Sequence, residues 1–179
     1  MNTITFKQGA NTRLTTSKNY DNLNRLTSIH SVNSANSVQN FDYSYNSANQ
    51  RTKSISADGS YWDYQYDSFG QVTSGVKKLS DGTAINGEQF GYSFDSIGNR
   101  LATVVNGQSA TYAANNLNQY SQRTVPGKVD IFGTADAGST VTVNNQATTR
   151  QDEYFFKSLD SDNSVNSAYG SLTIVGVKK

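Results

Sequence analysis

A short turn unit recurs along this chain: an aromatic residue, Asp or Asn, two variable residues, then Gly or Asn. It reads "YDNLNRLTSI" from Tyr20, "YNSANQRTKSI" from Tyr45, "YDSFGQVTSG" from Tyr66 and "FDSIGNRLATV" from Phe94. A worn copy, "ANNLNQYSQ", starts at Ala114, and a partial sixth match, "GANTRLT", starts at Gly9. Repetition every twenty-odd residues means that each copy is one supersecondary unit, which buries its apolar side only by stacking on its neighbours. The repeat positions Tyr20, Asp21, Tyr45, Tyr66, Asp67, Gly70, Phe94, Asp95 and Gly98 therefore read as structural. The Asp side chain caps a turn, and Gly or Asn accepts a positive φ. Each copy is the bend of a hairpin.

Alternating aromatics precede the bends: Phe41, Tyr43 and Tyr45; Trp62, Tyr64 and Tyr66; Phe90, Tyr92 and Phe94. A two-residue period puts each trio on one face of a strand. If stacked hairpins bring the trios into register, Tyr faces Tyr across strands and the rings pack inward as the core side of the sheet. The alternative is an exposed aromatic face on which Trp62, Tyr64 and Tyr66 stack sugars, with Asn and Asp at its margins. Segments such as "HSVNSANSVQN" and "KKLSDGTAINGEQ" read as polar links between hairpins.

The pattern changes near Pro126-Gly127. Beyond it, "KVDIFGTA", "STVTVNN", "QATTRQ", "EYFFKSL" and "SLTIVGVKK" read as short strands, with Asn144-Asn145 as a hairpin turn. Glu occurs only at Glu88 and Glu153, and Asn, Ser and Thr abound, which suits strands and turns over helices. The expected fold is all-β. Residues 1–124 form an array of tandem hairpins, an open twisted sheet strip, and residues 125–179 form a small antiparallel β-sandwich.

The turn units "YDNLNRLTSI", "YDSFGQVTSG" and "FDSIGNRLATV" resemble the YD repeat of RHS proteins, over roughly residues 9–122. That resemblance implies a long β-strip which, in RHS, insecticidal-toxin and teneurin-type proteins, spirals into a hollow shell, sometimes around a self-cleaved effector. It implies a surface or secreted location. This chain departs from the pattern: its repeats are too few to close a shell, its only proline is Pro126, and no toxin-like extension follows. A fragment of a toxin-encapsulating shell remains one reading. "VDIFGTADAGSTVTVNNQA" resembles bacterial immunoglobulin-like modules, which implies a spacer or carbohydrate-associated accessory.

Composition argues against several function classes. The net charge is +1 and 16% of residues are charged, so no field draws the chain to nucleic acid or anionic lipid. No apolar run of ~18 residues provides a spanning helix, and the N-terminus lacks the pattern of a signal peptide. With no cysteine there are no disulfides or thiolate metal sites. His30, the sole histidine, falls in a link and has no nucleophile elbow to serve. Asp21, Asp67 and Asp95 occupy the same place in each unit, which favours turn capping over acid–base catalysis. "DSDNS", from Asp160, begins like a calcium loop, but Val165 and Ser171 replace the required Gly and Glu. "GTADAG" lacks the Lys-Ser/Thr of a phosphate loop. No catalytic residue, metal or cofactor is expected. The expected function is a non-enzymatic structural module whose uncapped β-edges pair with a second copy, giving a homo-oligomer or filament, or with other parts of a larger RHS protein. A glycan partner is the alternative.

Overall fold

The computed structural model describes residues 2–162 and 169–178, and every regular element among them is a β-strand. The chain divides into two compact units, Met1–Thr83 and Ala84–Lys179.

The first unit holds β1 (Asn2–Gln8), β2 (Asn11–Tyr20), β3 (Leu26–Asn33), β4 (Val38–Tyr45), β5 (Arg51–Ser56), β6 (Tyr61–Tyr66) and β7 (Val72–Lys78), antiparallel neighbours in chain order. The segment "HSVNSANSVQN", read from sequence as a link, belongs to β3, a bend and β4 of this meander. Turns start at Asp21, Asn46 and Asp67 on one side and at Asn33, Ser56 and Leu79 on the other. All six share one backbone pattern: the first N–H donates to the fifth carbonyl, and the fourth N–H donates to the first, at 2.8–3.2 Å. The fourth residue is Asn or Gly with positive φ in every case, so the local signal that marks one set of turns marks both.

The second unit begins with β8 (Ala84–Phe94), β9 (Arg100–Val105), β10 (Gln108–Ala114) and β11 (Tyr120–Arg123), again in meander order. It ends with β12 (Lys128–Thr134), β13 (Ser139–Val143), β14 (Gln146–Ala147), β15 (Thr149–Gln151), β16 (Tyr154–Asp160) and β17 (Ile174–Lys178). These last six strands make two three-stranded sheets, β12-β16-β15 and β14-β13-β17. Asn144 and Asn145 both take positive φ and close the β13–β14 hairpin, as the sequence suggested. Ile131 and Phe155 from one sheet meet Val141 and Val143 from the other in a buried cluster. The C-terminal strands also lean on β8. Gly87, at φ 91°, lies under the rings of Phe132 and Phe156. The Gln151 side chain accepts the Asn86 N–H at 2.6 Å and donates to the Ala84 carbonyl at 2.6 Å.

The aromatic trios differ from expectation in two respects. Among the described residues, the buried apolar side chains are Ile85, Ala110, Ile131, Val141, Val143, Tyr154 and Phe155, none of them a trio residue. The trio rings are half-covered, and Phe41 is exposed. Nor does Tyr face Tyr: Tyr43 pairs with Ser54, Tyr45 with Arg51, Tyr64 with Gly75, Tyr66 with Val72 and Tyr92 with Thr103. Most of these tyrosines therefore face small or cationic residues, while Tyr66, Phe41 and Phe90 face Val72, Ile29 and Val105.

The repeated turns and their aromatic face

Five turns are built alike from the side chain upward. Oδ1 of Asp21 accepts the N–H groups of Leu23 and Arg25, Asn46 those of Ala48 and Gln50, and Asp67 those of Phe69 and Gln71. Asp95 does the same for Ile97 and Asn99, and Asn115 for Leu117 and Gln119. The left-handed fourth positions are Asn24, Asn49, Gly70, Gly98 and Asn118. Immediately before each turn the register slips by one, at Tyr20, Tyr45, Tyr66, Phe94 and Ala114, with the extra residue on the return strand. The worn copy at Ala114 is thus a complete structural repeat. The expected repeat positions all fall on this turn-plus-bulge device.

Successive turns are tied together. The Tyr45 hydroxyl donates to the Leu26 carbonyl of the preceding repeat at 2.7 Å, and the Tyr66 hydroxyl donates to the Arg51 carbonyl at 2.7 Å. Arg25 reaches forward to Asn49 Oδ1 at 2.8 Å while pairing with Asp21 at 2.7 Å. In the second unit Asn99 donates to Asn118 at 3.2 Å, and the Arg100 N–H donates to the Tyr120 hydroxyl at 2.8 Å. The tyrosine before the turn is therefore a coupler between repeats as well as a packing residue. Tyr45→Phe and Tyr66→Phe should each lower stability by about 1 kcal/mol, and urea midpoints of the two variants would check it.

Protonation tests the same device. The backbone N–H of Arg25, and then its guanidinium, hold the Asp21 carboxyl below its usual range. The Asn99 side chain leads the same effect at Asp95, and the Thr83 N–H leads it at Asp81. A carboxyl depressed in the folded state adds stability above its unfolded pKa of about 4. That contribution is lost as pH falls through the lower folded value. The melting temperature should be flat from neutrality down to about pH 5 and should then drop as these groups protonate. Asp95→Asn removes the titrating carboxyl but keeps the accepting oxygen, so it should flatten the acid drop as Asp95→Ala does while costing less stability at neutral pH.

Next to the turns, rings from β4 and β6 stand on either side of β5, where Ser54 pairs with both Tyr43 and Trp62. Trp62 and Tyr64 lie nearly parallel, 7° apart with centroids at 6.2 Å, and Tyr64 lies over Gly75. The sequence reading missed the cations. The Arg51 guanidinium sits 3.9 Å from the Tyr43 ring centre and 5.9 Å from that of Tyr45. Arg25 lies over Tyr45, Arg100 over Tyr92, and Arg123 over Tyr112. The signal was present, since Arg25, Arg51 and Arg100 all follow the turn at a nearly fixed offset. His30 is exposed on β3 between Ser17 and Asn40, and no acid is paired with it there. Among the described residues no three acids, histidines or cysteines converge to hold a metal. The calcium-like stretch includes Asn163, Ser164 and Val165, which lie outside the described residues; Asp160 itself pairs with Lys128.

Residues 45–84 match the RHS repeat family. That RHS repeat segment runs from the Tyr45 bulge to the first residue of β8, so it contains two of the five turns. No curated protein matches the chain. Among solved structures, the chain resembles the TcdB2-TccC3-Cdc42 complex at 13% identity and a TM-score of 0.53, over 87% of this chain and 8% of that one. It resembles TcdB2-TccC3 without its hypervariable C-terminal region at 14% identity and 0.54, over 76% and 7%. A third likeness is to the Photorhabdus luminescens Tc holotoxin pore, at 14% identity and 0.53, over 87% and 8%. At such identities the likeness is one of fold. This chain spans less than a tenth of the length of those proteins.

Proposed function

We propose that this chain is a non-enzymatic structural segment of a longer secreted or surface-displayed RHS-type protein, in which β-edges join it to further repeats. The observation that carries this reading is the five-fold recurrence of one turn-plus-bulge device with bonds running from repeat to repeat. Such a device extends a sheet, and among the described residues no three acids, histidines or cysteines converge. The RHS repeat match at 45–84 and the fold shared with the TcdB2-TccC3 structures support it. On this reading residues 1–124 are the hairpin array. Residues 125–179 are an immunoglobulin-like sandwich braced against β8, and Tyr20, Asp21, Tyr45, Tyr66, Asp67, Gly70, Phe94, Asp95 and Gly98 hold the array together.

The exposed edge strand β1 pairs only with β2 among the described residues, and Ile4 and Phe6 stand about half exposed on it. Edge pairing by β1 gives an expected result for the purified chain: concentration-dependent association in light scattering, with elongated particles in negative stain. Replacing Ile4 and Phe6 with lysine should make it monomeric. A wild-type chain that stays a compact monomer at high concentration would remove the edge-pairing role.

A further inference from the structure

The turns on the two sides of the first unit share one backbone design but differ at one side chain. In the turns at Asp21, Asn46 and Asp67 the third residue is Leu23, Ala48 or Phe69. In the turns on the opposite side, at Asn33, Ser56 and Leu79, it is Ala35, Asp58 or Asp81. The second unit follows the first set, with Ile97 and Leu117 at the third places of the turns at Asp95 and Asn115. Leu23, Phe69, Ile97 and Leu117 are 67%, 76%, 70% and 76% exposed. The turn does not require them. Its third residue lends an N–H to the capping Asp or Asn, and Ala35 lends the same group in the Asn33 turn. Scattered exposed apolar residues need no explanation. One turn position filled four times by a large apolar side chain, and by none in the opposite turns of the first unit, does.

In each unit these tips form a row. Successive turns on one side are two strands apart, roughly 10 Å. Side-chain bonds between turns hold that spacing: Arg25 to Asn49 at 2.8 Å in the first unit, and Asn99 to Asn118 at 3.2 Å in the second. Each tip is flanked within its turn by Asn, Ser or Gly. The charged residues among the first four places are Asp21, Asp67 and Asp95, and each commits a carboxylate oxygen to N–H groups of its own turn. Each row therefore presents separate apolar tips on a polar margin that carries no cation.

We propose that these rows dock on a zwitterionic phospholipid surface, the tips entering the boundary between headgroups and acyl chains while the flanking Asn and Ser groups stay among the headgroups. Two features favour lipid over a folded partner. The tips are Leu, Phe, Ile and Leu, alike in polarity and unlike in shape, whereas a protein interface is read by shape. Polar groups also separate them, so they make no continuous apolar face for a rigid partner to cover. A fluid interface receives each side chain on its own, and binding follows the apolar area buried. With no cation among those turn residues, anionic lipid adds nothing to the attraction. The contact does not depend on the β1 edge.

The experiment floats the whole chain with phosphatidylcholine vesicles on a density gradient, which separates lipid-bound protein from self-assembled particles. The wild-type chain should rise with the vesicles to the same extent at low and high salt, and no further when phosphatidylglycerol is added. Phe69→Asp and Ile97→Asp should each lower the partition coefficient roughly tenfold or more. Both should leave the melting temperature unchanged, because Asp58 and Asp81 already occupy the same place in the same turn. Ala35→Asp, on the opposite side, should bind as the wild type does. Phe69→Trp should add emission that brominated lipid quenches. Absence of flotation in the wild-type chain would overturn the assignment. So would unchanged flotation in Phe69→Asp and Ile97→Asp, an equal loss in Ala35→Asp, or flotation that needs anionic lipid and vanishes in salt. Association between copies that depends on the tips, without flotation, would give the rows to a second copy and overturn it too.

Discussion

Gly87→Ala should lower the stability of the second unit by about 2–4 kcal/mol, the combined scale of left-handed backbone strain and overpacking. The backbone at Gly87 has φ 91°, a conformation that side-chain-bearing residues rarely adopt. A Cβ there would sit 2.7 Å from Cδ2 of Phe132 and 2.7 Å from Cδ2 of Phe156. The two rings close on the site from β12 and β16, so relief at one does not free the other. Gly107→Ala is the matched control. Its φ is 82°, but nothing lies within 4 Å of the added methyl, so only the backbone term of about 1 kcal/mol applies. The difference between the two denaturation midpoints measures how firmly the C-terminal strands are seated on β8. Equal losses would mean that the rings yield and the contact is loose.

Gly87 also marks the limit of what the sequence discloses. A glycine inside a strand can signal a bulge or the close approach of another element, but "AINGEQF" does not say which element approaches. That depends on β12 and β16, more than forty residues away. The turns were legible because their chemistry is local: Asp67 meets its partners at Phe69 and Gln71. Even the worn copy at Ala114 was visible, since Asn115 and Asn118 keep the cap and the left-handed residue. The bulge before each turn was not legible, because a register slip is a property of two strands. For the same reason the sequence showed Tyr43 and Tyr64 on one face without showing that Ser54 and Gly75 oppose them. Arg51 was overlooked because periodicity of apolar residues draws attention to rings, and the cation that stacks on them has no period of its own. The polar links misled for a physical reason too. A strand in an open sheet with little enclosed core has no need of apolar residues, so "HSVNSANSVQN" could pair on both sides while looking like loop.

The second large effect lies in the core shared by the two C-terminal sheets. Phe155→Ala should cost about 3–5 kcal/mol, the usual scale for emptying a buried aromatic site. Phe155 is 7% exposed and packs with Ile131, Val141 and Val143. Its ring also occupies the space above Gly133, where a Cβ would come within 2.7 Å of Cε1 and Cζ. The two positions are therefore coupled, and their combination is more informative than either alone. Gly133→Ala by itself should destabilise by about 1–3 kcal/mol through overpacking. Its φ is outside the left-handed range, so the ring contact is the whole of its penalty. In the Phe155→Ala background that contact is gone and the methyl enters vacated volume. The double variant should then be no less stable than Phe155→Ala, an interaction energy of about 1–3 kcal/mol in the favourable direction. Additive losses would show that Gly133 is required for a reason other than the ring above it. If the sheets β12-β16-β15 and β14-β13-β17 share a single core, near-ultraviolet circular dichroism should lose its signal in one step in every member of this cycle. Two separate steps would mean that the sheets hold together independently of Phe155.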